Sequence, residues 1–453
     1  MKMKKLLSVF IMLIMLTAIF AGCQGGEEAA PTSDAPDTAE STAPEDTESP
    51  AQETQEPSGD KVKITFSAWD VDTQMPYIRP MIDEFMSQNS DIEVEVVDIP
   101  SADYTDKLSI DLNGGAASDV IMVKDADTVF SLNKKGQLAD MSNYISDNNI
   151  DLSIYNGLAE NFAFDGKQVG MPVRTDYYIL YYNKDIFDDA GVDYPSNDMT
   201  WTEFEELAAQ LTSGEGADKK YGAHFHTWQA IVENWAVQDG KHTIMGPDYT
   251  FMKPYYEMAL RMQDAGTIQD FGTLKTGSIH YSGVFQNGQT AMMPMGSWYI
   301  STHIAAIKDG ETDISNWGIS TIPHPEDIEA GNTVGATTPL AINEASENKD
   351  AAWKLVEFFS SYEGGKMLAE FGQFPGCIND ELLEIITSVD GMPEGANEAL
   401  KVKGIVLDRP IVEYVNEVNK MLEEEHELIM IGEVSVDEGL ENIATRSAEI
   451  QGQ

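Results

Sequence analysis

Over Lys61–Ala68 the apolar positions alternate, with Val62, Ile64, Phe66 and Ala68 on one face, which predicts a strand running up to Trp69 and Asp70. Tyr77, Met81 and Phe85 then recur every fourth residue, a helical face with Pro76 or Pro80 in its first turn. Ile92, Val94 and Val96 alternate again as a second strand. Tyr104–Leu112 is helical and closed by Gly114 and Gly115, and Asp119–Val123 is a short buried strand followed by Asp125 and Asp127. Strand, helix, strand, helix, strand means a mostly parallel sheet with helices on its faces. Ligands of such sheets sit beyond the carboxyl ends of the strands, so Trp69, Asp70, Asp125 and Asp127 share one rim.

The periodicity changes between Gly166 and Gly191. After a turn at Asp165 and Gly166, Val169–Val173 is apolar and interrupted by Pro172, and Tyr177–Tyr182 is aromatic and β-branched, which favours a strand. Asn183 is a helix N-cap type, Lys184–Ala190 is one or two helical turns, and Gly191 suits the left-handed residue that ends a helix. An extended segment that becomes a strand and then a helix reads as a crossover between two α/β lobes. Further on, Thr202 and Glu205 have capping-box spacing, and Met292–Met295 and Thr338–Asn343 read as two more crossings. Gly296 permits close backbone approach beside Trp298. Trp353, Val356 and Phe359 share a buried helix face, and Ile411–Gly432 and Val434–Gln451 are helical. The expected first lobe is 61–171 with 296–338 and the second is 177–291 with 343–450, joined near 172–176, 292–295 and 339–342.

Composition narrows the function. In 453 residues, 77 acidic against 28 basic side chains leave a net charge of −49, which excludes nucleic acid as a partner and opposes docking of the protein face on an anionic membrane. Of the two cysteines, Cys377 reads as a small buried hydrophobe. Lys2, Lys4 and Lys5 precede the apolar run Leu6–Phe20 and then Ala21, Gly22 and Cys23, the order of an export signal over residues 1–22. Residues 24–60 contain no Lys, Arg or aromatic side chain, so 23–60 reads as a disordered, extended acidic tether.

The Phe-Ala-Gly-Cys ending resembles the bacterial lipobox, whose cysteine takes a diacylglycerol and becomes the mature N-terminus. That lipobox, the strand ending A-W-D, D-V-I-M-V-K-D-A-D, Y-Y-N-K-D-I-F-D-D-A-G-V, T-W-T-E-F-E-E-L, F-Q-N-G-Q-T-A-M-M-P-M-G-S-W and N-K-D-A-A-W-K-L-V-E-F-F follow one another in order. Together they resemble the extracellular solute-binding proteins of bacterial ABC importers, in their maltodextrin-type sugar-binding branch, over essentially all of 61–450. The resemblance implies a two-lobe periplasmic-binding-protein-like α/β fold with a multi-strand hinge. It implies a monomeric receptor on the outer face of the cell membrane, lipid-anchored through acylated Cys23. That receptor captures a carbohydrate of oligosaccharide type in the inter-lobe cleft and delivers it to ABC permease subunits. No bond is made or broken, and no cofactor or metal is expected.

Sugars present apolar C–H faces rimmed by hydroxyls, so stacking rings with carboxylate and guanidinium partners suit them. Trp69 and Trp298 resemble ligand-stacking positions of the family, and Trp228 and Trp235 lie in a second-lobe stretch that faces the cleft in similar proteins. Tyr177 and Tyr178 sit at the first crossing, where alternation turns one of them to the cleft; Arg174 and Asp176 flank it, and Asp70 and Asp125 complete the candidate set. Core packing competes for each ring. His224 and His226 share a strand face, but the sequence places no third metal ligand beside them. Two other functions stay open: a secreted glycoside hydrolase, which needs two carboxylates at a fixed separation, and the binding subunit of a membrane sensor, which uses the same fold and cleft.

Overall fold

The structure, a computed structural model, describes residues 61–124 and 126–452; the export signal, Cys23, the acidic tether and Asp125 lie outside the described residues. The strands are β1 (Val62–Trp69), β2 (Ile92–Ile99), β3 (Val120–Met122), β4 (Ala163–Phe164), β5 (Lys167–Gln168) and β6 (Met171–Asn183). They continue with β7 (Tyr221–Ala223), β8 (Thr290–Gly296), β9 (Trp317–Thr321), β10 (Asn332–Ile342) and β11 (Gly404–Leu407). All but the β4–β5 hairpin join one sheet in the order β2-β1-β3-β10-β6-β8-β7, with β9 on β6 and β11 on β10.

All thirteen residues of β6 are buried, the near-continuous apolar run of a strand covered on both faces. Its partner changes partway along. Met171–Tyr177 pairs antiparallel with β10, whereas from Tyr178 onward β6 pairs with β8 on one edge and β9 on the other. Alternation then sorts the side chains. Tyr177, Ile179 and Tyr181 enter the core that includes the first-lobe strands, and Tyr178, Leu180 and Tyr182 enter the second-lobe core. The strand runs through Pro172 because its ladder shifts register between Thr338 and Pro339, and proline is tolerated inside a sheet at such an irregularity. There Thr175 N donates to Phe374 O and Gly376 N to Val173 O, at 2.8 Å each.

β1, β2 and β3 are mutually parallel, as the alternating pattern predicts. The helices Ile78–Gln88 and Tyr104–Gly114 follow β1 and β2, the latter ended by Gly115 at φ 72°. Past β6, Asn183 caps Lys184–Ala190 and Gly191 closes it with φ 66°. The capping box of the helix Trp201–Leu211 is Thr200 with Glu203. It lies two residues earlier than the Thr202–Glu205 reading, and Glu205 instead pairs with Arg261 at 2.7 Å.

The crossings differ from the expected ones. Met292–Met295 lies inside β8, between β6 and β7, and stays in the second lobe. The second crossing is β10: Thr333 Oγ1 donates to Tyr178 O, and further along the same strand Leu340–Ile342 pairs with β3 in the first lobe. The segment after β10 is therefore delivered to the first lobe, and the helix Lys349–Ser360 packs in its core through Trp353, Leu355, Val356 and Phe359. β11 runs beside β10 and leads to the helices Val415–Met430 and Val436–Ile450 of the second-lobe core. β9, inside the stretch 296–338 assigned to the first lobe, pairs with the second-lobe half of β6. At the outer edge Lys134 of the first lobe pairs with Glu413, just beyond β11.

Gly335 sits where β10, β11 and β6 meet, and a Cβ there would lie 2.3 Å from the Asp176 carbonyl oxygen and 2.8 Å from Ile405. Backbone cannot yield as a flexible side chain does. Gly335→Ala is expected to destabilise the protein by about 1–3 kcal/mol, the cost of an overpacked core, seen as a lower urea midpoint at an unchanged slope.

Candidate functional site

The partner switch in β6 builds a wall of aromatic rings. Tyr178, first residue of the second-lobe segment, meets Trp235 at 5.4 Å and Trp298 at 5.6 Å, both edge to face. Trp298 folds back over Gly296, where a Cβ would fall 2.0 Å from the indole, and its Nε1 donates to Tyr281 OH at 3.2 Å. Trp228 stands 5.5 Å from Tyr281 and 6.4 Å from Trp298, with His226 4.5 Å from Trp228 and 5.2 Å from Tyr281. Tyr178 and Trp235 are buried, whereas Trp228 and Trp298 keep part of their surface open. Two partly open indoles backed by buried rings form a rigid platform for an apolar ring face.

Polar groups flank the wall. Arg174 Nη1 donates to Tyr77 OH at 2.8 Å, and its Nε forms an ion pair with Asp176 Oδ2 at 2.8 Å. Asp176 Oδ1 accepts from Ser297 Oγ at 3.0 Å, so this buried pair ties the crossing to the residue before Trp298. On the other side the helix Ala230–Val237 is buried along its whole length. Glu233, with no exposed surface, lies 3.5 Å from Arg409, and neither of its oxygens has a hydrogen-bond partner. Both amide atoms of Asn234 and the Trp235 Nε1 are likewise buried without one. Arg409, at the end of β11, donates from Nε to Asn419 Oδ1 at 2.5 Å and from Nη1 to the Asp408 carbonyl at 3.0 Å. It lies within electrostatic reach of Tyr178 and of first-lobe Asp127. Burial holds His224 down to about 3 and His226 down to about 4, so both imidazoles are neutral near pH 7.

Of the residues singled out in the sequence, Tyr178, Trp228, Trp235 and Trp298 come together, with Arg174 and Asp176 at the crossing beside them. Alternation decides between the two tyrosines. Tyr178 joins Trp298, while Tyr177 turns to the other face, donates from its hydroxyl to Leu400 O at 2.8 Å and packs edge-on against Phe374. Trp69 is 7% exposed and packs at 5.3 Å on Tyr104 in the first-lobe core. Asp70, at φ 45°, accepts from Gln74 Nε2 at 3.2 Å within its own loop and from Ser101 N, in the loop after β2, at 2.9 Å. Tyr281, Arg409, Glu233 and Asn234 were not foreseen. Arg409 reaches the wall only through β11, a four-residue strand too short to signal itself by periodicity. Among the described residues no group of three His, Cys, Asp or Glu side chains is arranged to hold a metal ion, and no helix is long and apolar enough to cross a membrane.

Comparison with known proteins fits this architecture. The profile of the family described as bacterial extracellular solute-binding protein matches residues 69–366. A sugar transporter of Rhizobium etli, solved in an open conformation, superposes with a TM-score of 0.75 at 38% identity, over 85% of this chain and 99% of that one. The maltooligosaccharide ABC transporter solute-binding lipoprotein of Streptococcus pneumoniae serotype 4 is 29% identical over 285 residues, 58% of this chain and 60% of that relative. The sn-glycerol-3-phosphate-binding periplasmic protein of Agrobacterium fabrum is 24% identical over 266 residues, 57% of this chain and 60% of that relative.

Removing one member of a buried ion pair strands the other charge. Asp176→Asn is expected to cost about 3–5 kcal/mol in chemical denaturation, and the double change Arg174→Met with Asp176→Leu to recover most of that loss.

Proposed function

The chain belongs to the bacterial extracellular solute-binding proteins, and from that premise we propose that it captures a carbohydrate between its two lobes and hands it to an ABC importer. The observation that carries the reading is the pair of partly open indoles, Trp228 and Trp298, held by Tyr178, Trp235 and Tyr281. Such a surface matches the C–H face of a pyranose, and its edges carry the amide, carboxylate and guanidinium groups that pair with hydroxyls. The resemblance to a maltooligosaccharide-binding lipoprotein and to a sugar transporter supports an oligosaccharide in particular.

In this reading the ligand first settles on the second-lobe wall. Bending at β6, β10 and β11 then brings the first lobe over it. The closed form is favoured only to the extent that the ligand binds it better than the open one. Asp127, within electrostatic reach of Arg409, and the helix that follows it supply the closing contacts from the first lobe. The importer recognises the closed form, and the sugar leaves intact, so the protein is a receptor and not an enzyme. Cys23, diacylated after export, anchors a monomer to the outer face of the membrane, because two acyl chains suffice for stable attachment. The acidic tether lets the receptor reach its permease.

Titration of intrinsic tryptophan fluorescence with maltooligosaccharides is expected to saturate, with the sugar recovered uncleaved. Trp298→Ala should weaken binding by about tenfold or more, equivalent to about 1.4 kcal/mol. No response to any neutral sugar, or recovery of a cleaved glycan, would overturn the proposal. Cys23→Ala should move the protein from the membrane fraction to the medium; retention on the membrane would contradict the anchor.

A further inference from the structure

The cations around the aromatic wall are not free. Arg174 is paired with Asp176 at 2.8 Å. Lys275, the lysine within electrostatic reach of His226, is engaged by Glu423 at 3.8 Å and by Glu427. Arg409, 12% exposed at its side chain, faces Glu233, which is fully buried, at 3.5 Å. His224 and His226 carry no charge near neutral pH. Three cations are thus balanced by carboxylates on their protein side. The least expected is Glu233: a carboxylate sealed in a helix that is buried throughout, with no hydrogen bond to either oxygen and one ion partner. Such a group is costly to keep unless its charge serves the neighbour it faces.

Resting on the reading of this wall as a sugar site, we propose that Glu233 is a resident counter-charge. It positions Arg409 at the edge of the site as a hydrogen-bond donor and cancels its positive charge, so that the site accepts an uncharged sugar and rejects an anionic one. A guanidinium is a ready partner for phosphate or sulfate when nothing opposes it; with a buried carboxylate behind it, an entering anion meets no net attraction and must be desolvated. The idea separates this chain in specificity from its sn-glycerol-3-phosphate-binding relative, whose ligand carries the charge that Glu233 would exclude.

Glu233 also carries a pH signature. Burial pushes its carboxyl up to about 7, with Arg409 pulling the other way and Asp408 and Glu423 adding to the rise; Tyr249 and Tyr256 are the other titratable groups within its reach. The tyrosines stay protonated and His224 and His226 stay neutral between pH 6 and 8. Lowering the pH across that range therefore protonates Glu233 and removes the first of the three carboxylates that act on Arg409, the others being Asp408 and Asp127.

The test is calorimetry on the intact chain with maltotriose and a maltotriose monosulfate, whose ester charge does not titrate in this range. At pH 8 the wild type should prefer the neutral sugar by about 100-fold, and Glu233→Gln should shrink that ratio by about tenfold or more, each tenfold being about 1.4 kcal/mol. Adding Arg409→Met to Glu233→Gln should remove the gain. In the wild type the ratio should narrow from pH 8 to pH 6, and in Glu233→Gln it should stay flat. A ratio unchanged by Glu233→Gln in a folded variant would overturn the proposal; should that variant not fold, a wild-type ratio flat from pH 8 to 6 would overturn it equally. Failure of the wild type to bind maltotriose or any other neutral sugar is a different result. It removes the sugar-site reading itself, and this inference with it.

Discussion

The exchange of partners along β6 is the constraint on which the rest depends. One strand, buried over its whole length, is held by β10 up to Tyr177 and by β8 and β9 from Tyr178 onward. Because side chains alternate across a strand, consecutive tyrosines serve different cores, and the place where the sheet changes hands is also where the aromatic wall begins. Trp298 depends on the same junction: Gly296 pairs with Tyr178, and the missing Cβ leaves room for the indole. The buried Arg174–Asp176 pair stands two to four residues before Tyr178 and reaches Ser297 across the ladder. The site and the joint between lobes are thus one structure, which suits a receptor whose ligand reports itself through lobe movement.

Charge is organised on two scales. Over the chain the excess is strongly acidic, with a net −49, and this favours solubility and discourages anionic partners. At the wall the cations are few and individually balanced, two of them by carboxylates that have lost nearly all contact with water. Water screens exposed pairs until they contribute little, whereas the buried pairs fix the orientation of the guanidinium forks.

Local chemistry was legible in the sequence wherever one residue type had one use. Asn183 and Gly191 bracket their helix as read, and Ile64, Phe66 and Ala68 of β1 and the helical repeat of Tyr77, Met81 and Phe85 stand in the core, while Val62 at the start of β1 is exposed. Long-range arrangement was less so. Met292–Met295 looks like a crossing because any buried apolar strand does; whether it joins lobes depends on its neighbours in the sheet. The paired Thr-x-x-Glu spacings at 200 and 202 differ only in which threonine has extended backbone, a choice made by the contacts of Trp201 with His324 and Gln238. Trp69 sits at the end of its strand as expected, but its ring turns to Tyr104, a direction that strand position does not encode. Glu233 was invisible for a related reason: in a chain with 77 acidic residues only burial sets one apart.

The most direct test of the central claim is a crystal structure of the protein with maltotriose. The account predicts an intact sugar lying over Trp298 and Trp228, with Arg409 or Asn234 bonded to its hydroxyls and the first lobe closed over its other face. A sugar bound away from these two indoles, or no sugar at saturating concentration, would contradict it.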